Sequence, residues 1–235
     1  MPFSGPRGSR KRIRWAGLAF PAFLLSFSSC AAPPPTLIPP VEVRSVEGYG
    51  SAAVEGLEAA VRGRFAFRFG ADGRGRVEAF DPLGRTVYFL DFEATQAWFV
   101  LPAKKVYWEN EPGELMSRFL GFVLRPEEVV RLLSGRWDAG AAGGPAPWIL
   151  QKDAQGRVVA GERVTLRFEV REFFAGGGVP RTVIVSDLAA AARIKILELR
   201  FNAAGPASAP ERAFLKTYSQ VTWAEMARFL NRDEN

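Results

Sequence analysis

The sequence predicts a mainly β fold of the α+β kind: a strongly curved antiparallel sheet, an incomplete β-barrel, with a short helical lid. Three observations predict it. Period-two alternation of apolar and polar residues dominates from about residue 43 onward. Turn signals built on Gly, Asp and Pro separate the alternating runs. Midway the period changes, and two short helical stretches interrupt the strands.

Residues 43–55, with Gly48 and Gly50, read as a first strand, with a short helix around 52–61 as the competing reading. Residues 61–69 put Phe65, Phe67 and Phe69 on one face and Arg62, Arg64 and Arg68 on the other. Aromatics at i, i+2 and i+4 cannot share a helix face, so this is a half-buried strand. Residues 71–75 form a hairpin turn and 76–80 the next strand. Asp81-Pro82-Leu83-Gly84 is a second turn, followed by strands near 86–92, 95–101 and 104–109. Leu115, Phe119 and Leu120 then fall at helical spacing over 114–122. Residues 126–135 form a clearer helix, with Pro126 in the first turn, Glu127 and Glu128 at the positive end of the dipole, and Gly135 closing it. The Gly-rich loop 138–147 has no Lys-Ser/Thr pair after its glycines and is not a phosphate loop. Strands resume at 147–152, 157–160, 163–172, 180–187 and 193–201, with turns at 153–156 and 176–178. Thr222 to Glu225 is a capping box that opens a helix to about Leu230. No long repeat is present. The expected organisation is one curved β domain over 43–204 with a helical extension at 205–235.

The formal charge of +6 belongs to the N-terminus. Five of the 31 basic residues (Arg7, Arg10, Lys11, Arg12 and Arg14) fall within residues 1–29, which hold no acid; the remainder has 26 basic and 25 acidic residues. A basic start, an uncharged apolar run at 15–29 too short to span a bilayer at ~20 residues, and small residues at its end describe a secretory signal over 1–29. The next residue, Cys30, is the only cysteine. Leu24 to Cys30 resembles a bacterial lipobox, with Phe27 departing from the usual leucine. The resemblance implies a lipid on Cys30 and cleavage before it. An ordinary signal peptide with an incidental Cys, or an uncleaved anchor, is the competing reading. Residues 30–42, with prolines at 33–35 and 39–40, then read as an extended tether. Ala31, where an Asp would suggest inner-membrane retention, favours the outer membrane.

The absence of His excludes Ser-His-Asp and Cys-His nucleophile systems and His-ligated metals; a lone Cys excludes internal disulfides and iron–sulfur clusters. No Asp-rich loop suits calcium. Glu109, Glu111 and Glu114 decorate a helix start, so no catalytic set, metal or cofactor is expected, and a carboxylate hydrolase is the weakest reading. Because the arginines of 62–68 lie opposite the aromatics, a single-strand nucleic-acid surface is rejected.

The aromatics are the richer signal, with 19 Phe and 6 Trp. Each is explained by an ordinary core. The sharper reading is an apolar cavity, lined by Phe65, Phe67, Phe69, Phe89, Phe99 and Trp108 with Phe119 and Leu132 of the helices, suited to acyl chains.

Phe80 to Gly84 followed by a strand resembles the Pro-Leu-Gly loop of LolB, the outer-membrane lipoprotein receptor family. The similarity continues through 115–121, 123–126 and 129–135, and through 178–187 and 194–199, spanning roughly residues 60–201. The resemblance implies an incomplete barrel with a helical lid over an apolar cavity. It further implies an exposed Leu83, flanked by Pro82 and Gly84, that inserts lipoproteins into the membrane. The expected partners are acyl chains of lipoproteins or lipids and a LolA-like periplasmic carrier, met by a monomer anchored to the outer membrane and facing the periplasm. The chain departs from the family in lacking a long helix before the first strand and in its tail at 205–235. The competing function is an envelope scaffold that binds a protein partner by an apolar patch or strand edge.

Overall fold

The computed structural model describes residues 36–55, 60–137, 147–203 and 212–232. The strands are β1 (Ser45–Glu55), β2 (Ala60–Gly70), β3 (Gly75–Phe80), β4 (Thr86–Phe92), β5 (Ala97–Leu101), β6 (Val106–Asn110), β7 (Ile149–Lys152), β8 (Val158–Arg163), β9 (Leu166–Phe173), β10 (Pro180–Ser186), β11 (Ala191–Phe201) and β12 (Ser219–Gln220). The helices are α1 (Pro112–Leu120), α2 (Pro126–Ser134) and α3 (Trp223–Arg232). The stretch around 52–55 is therefore strand, not helix.

All the strands form one unclosed sheet in the order β12-β6-β5-β4-β3-β2-β1-β11-β10-β9-β8-β7. Two antiparallel meanders, β1–β6 and β7–β11, are joined along β1 and β11, with a bulge at Tyr49/Gly50. Among the described strands only β12 runs parallel to its neighbour, β6.

The sheet curls strongly around α2. The Glu128 carboxylate bonds Arg163 of β8, while Glu127 Oε2 lies 4.0 Å from where a Cβ on Gly73, in the β2–β3 turn, would stand. From β3 to β8 there are six strand spacings, roughly 29 Å in a flat sheet. Two neighbouring residues reach both places only because the sheet wraps.

Glycines make room for the aromatics on the concave face. A Cβ on Gly50 would stand 3.1 Å from Phe65 Cζ, and one on Gly48 would stand 2.9 Å from Phe67 Cζ and run into the Glu198 carbonyl. The rings lie down where no side chain competes.

The expected break between strands near 161–162 is corrected. Gly161 stays inside β8 because the Phe168 ring lies against it, and the chain turns at Val164-Thr165 instead. Val164 takes a left-handed φ of 56°.

The concave face and the helices share one core, from Val46 and Phe67 through Leu115, Met116, Leu132 and Leu133 to Met226. Glu225 fixes the start of α3 by accepting from the Thr222 backbone N–H at 2.8 Å. Trp223 then packs on Trp108 at 4.8 Å between centroids, and Met226 is fully buried. A second, convex cluster of Phe89, Trp98 and Val100 is covered by Leu215 and Tyr218. The C-terminal segment thus passes from the convex to the concave side around β6.

Candidate functional site

Seven of the eight predicted cavity residues meet in the concave core: Phe67, Phe69, Phe99, Trp108 and Leu132 are buried in it, and Phe65 and Phe119 pack half-buried against it. Phe99 touches both Tyr88 and Phe119, with centroids 5.3 Å and 5.8 Å away. Burial among these rings pushes the Tyr88 phenol well above its usual value.

Phe89 is the correction. Tyr88, Leu90 and Phe92 face the concave core, so alternation turns Phe89 to the convex cluster, where the Arg76 guanidinium stands 4.2 Å from its ring centroid. Beside it Asp91 is 2% exposed and pairs with Arg76 Nη1 at 3.3 Å. Burial outweighs that cation and pushes the Asp91 carboxyl up to about 6.

The helices fill the concave face through apolar side chains and one buried polar network. Glu128 of α2 pairs with Arg163 of β8, both nearly inaccessible. Glu128 Oε1 also accepts the Trp148 indole N–H at 3.1 Å, and Oε2 accepts the Arg125 backbone N–H at 3.0 Å. Arg163 donates further to the Val123 carbonyl at 3.4 Å. A charge pair satisfied on this many sides ties the start of α2 to the far half of the sheet. Glu128 was read from sequence only as an acid at the positive end of the α2 dipole; Arg163, 35 residues away, gave no local signal.

Leu83 stands at the tip of the β3–β4 turn and is 79% exposed. Asp81 Oδ1 accepts from the backbone N–H groups of Leu83 at 2.8 Å and Arg85 at 2.9 Å, and Oδ2 from Arg85 Nε at 2.7 Å. The Arg85 and Leu83 hydrogen bonds hold the Asp81 carboxyl below its usual value. Gly84, at φ 81°, closes the turn. The same chemistry recurs at Asp153 to Arg157, with Gly156 at φ 76°, but Gln155 there takes the place of an apolar tip. Cys30 and the start of the tether lie outside the described residues. The tether's end does not: Leu37 N–H donates to the Ala175 carbonyl at 3.0 Å, and Arg136 to that of Pro40 at 3.2 Å.

Sequence reasoning missed Leu188 and Val164, 88% and 87% exposed on other turns. It also missed the entry of α3 into the core, which the apolar spacing of Trp223, Met226, Phe229 and Leu230 could have shown. Among the described residues no group of three or more His, Cys, Asp or Glu could hold a metal ion, and no helix is long and apolar enough to cross a membrane.

No family model and no curated protein matches the chain. Solved structures are similar at a distance. A LolA superfamily protein from Nitrosomonas europaea has a TM-score of 0.44 and 10% identity, covering 69% of this chain and 88% of its own. A domain described as an outer membrane lipoprotein-sorting protein from Vibrio parahaemolyticus has a TM-score of 0.45 and 12% identity, covering 74% and 90%. A DUF1329 family protein from Desulfovibrio piger has a TM-score of 0.45 and 9% identity, covering 70% and 88%. Likenesses this remote assign neither a family nor an activity.

Proposed function

We propose that the chain is a non-enzymatic, lipid-anchored envelope protein that takes acyl chains between its curved sheet and its helices and passes acylated cargo to the outer membrane. The observation that carries this reading is the concave core itself. An apolar sheet face that wraps around its contents is covered by three short helices, and Phe119, Leu120, Phe229 and Leu230 on them stay only half-buried. An acyl chain replaces such helix side chains at little cost, because one apolar contact is exchanged for another. The network on Glu128 holds α2 in place, while α1 and α3 meet the sheet through apolar side chains.

In this reading Cys30 carries the lipid, a soluble LolA-like carrier delivers the cargo, and Leu83, held between Pro82 and Gly84, leads it into the bilayer. Transfer needs no bond making; it needs acyl burial to improve slightly at each site. The protein works as a monomer.

The test is direct. The purified protein is incubated with a fluorescent fatty acid, and bound acyl chain is measured with and without Leu132→Trp, which fills the interior. Saturable binding that the substitution weakens tenfold supports the reading. No binding by the unmodified protein would leave the packed interior as a plain core and favour a scaffold.

A further inference from the structure

The sheet wall parts between β10 and the end of β11. β11 pairs with β10 only from Ala191 to Lys195, against Ser186 back to Thr182. Beyond that, Ile196 to Phe201 keep β1 on one side and have no strand partner on the other among the described residues. β10 meanwhile leads back to the 174–179 turn, where the Phe174 N–H donates to the Val179 carbonyl at 2.9 Å. The gap between the end of β11 and this turn is edged by residues of the concave core, Ile196 and Leu199 on one side and Phe174 and Val179 on the other.

Residues 36–45 reach from one edge of that gap to the other. At the turn, Thr36 bridges to Ala175, and a Cβ on Gly176 or Gly177 would stand 2.5 Å from Thr36 Cγ2 or from the Leu37 carbonyl oxygen. The two glycines make the seat for this segment. At the end of β11, Asn202 holds a left-handed φ of 50°. Its Oδ1 accepts from the backbone N–H groups of Arg44 at 2.8 Å and Ser45 at 3.1 Å, and its Nδ2 donates to the Glu42 carbonyl at 2.7 Å. Between these two holds, Arg136 Nη2, just past α2, donates to the Pro39 and Pro40 carbonyls. Leu37 and Val43 pack half-buried on the core, while Ile38 and Val41 are 69% and 96% exposed. A plain spacer needs none of these fittings. Hydrogen bonds at three points hold the segment, so it can open locally without breaking the ladders of the strands.

We infer that residues 36–43 are a gate over this gap, and that an acyl chain passes between β11 and the 174–179 turn into the concave core when they lift. The inference rests on the reading that the core takes acyl chains, and adds the route. An acyl chain suits this opening because its edges are apolar and its methylenes take over the contacts that Leu37 and Val43 give up. Lifting also frees the Arg136 guanidinium, which has no carboxylate partner among the described residues, from the Pro39 and Pro40 carbonyls. It then stands at the opening as a donor for the carboxylate at the head of the chain.

The test locks the gate. In the full chain with Cys30→Ala, Thr36→Cys and Gly176→Cys put two Cβ atoms 3.7 Å apart, within disulfide range. A cysteine at 176 bears the same left-handed backbone in both redox states, so the oxidised and reduced proteins differ only in the lock. Uptake of a fluorescent fatty acid should be at least tenfold slower in the oxidised form and recover on reduction. Asn202→Gly keeps the left-handed backbone, drops the clamp, and should speed uptake severalfold. Arg136→Gln should weaken binding of the fatty acid severalfold while sparing the matching fatty alcohol; equal losses with both would remove Arg136 from the route. Uptake at one rate in both redox states would overturn the gate and leave acyl binding in the core standing. A cysteine pair that does not oxidise would overturn it too, since the seated segment is its premise. No binding by either form would sink the acyl reading itself, and the gate with it.

Discussion

Val164 holds a conformation that its side chain resists. A left-handed non-glycine residue costs on the order of 1–2 kcal/mol, and β-branching adds to the crowding. Val164→Gly should therefore stabilise the fold by about 1 kcal/mol, seen as a raised thermal midpoint. Asp91 makes a second residue-scale prediction. Its folded carboxyl titrates at about 6 against an ordinary 3.8, so the folded state prefers the protonated form. Its contribution to stability is fully present below 3.8 and lost as pH rises through about 6. Asp91→Asn should remove that part of the pH dependence and raise stability at pH 7 by on the order of 1–3 kcal/mol, leaving it little changed near pH 3. Denaturant titrations of both proteins across that range check it; a steeper loss of stability with rising pH in the variant would contradict it.

At the scale of elements, α2 is fixed by one buried charge pair and α3 by an apolar plug. Arg163→Met leaves the Glu128 carboxylate buried without its cation and should destabilise the fold by about 3–5 kcal/mol, whereas replacing both partners with apolar residues should cost far less. A double-mutant cycle in urea reads the difference. Met226→Ala, at a fully buried position facing the Trp108 side of the sheet, should cost about 2–5 kcal/mol and unfold the chain cooperatively rather than release α3 alone. What was legible in the sequence follows the same division. The alternation of Phe65, Phe67 and Phe69, the Gly-closed α2 and the Thr222 capping box are local patterns, and each produced the element expected. Phe89 was not legible, because Val87 to Leu90 is apolar on both faces and alternation there carries no information about which face is concave. The turn at 164–165 was hidden because Gly161 advertises a break but is needed as a seat for the Phe168 ring. Exposure of Leu83 was suggested only by resemblance, and that of Leu188 and Val164 depends on strand order, which no local window contains.

At the scale of the whole molecule, the chain enters the fold beside the second meander, where Thr36 bridges to Ala175 between β9 and β10. The seam between the two meanders has a further consequence, for the order in which the molecule forms. Each meander pairs neighbours in sequence, but β1 and β11 join positions 136 to 155 residues apart, from Glu55 with Ala191 to Val46 with Phe201. Closing that contact loses chain entropy long before it returns any burial, so the two halves should assemble first and the seam zip up last. Pulse-labelled amides of β2–β5 and β8–β10 would then gain protection ahead of those along β1 and β11, and the concave face would exist only once the final pair had closed.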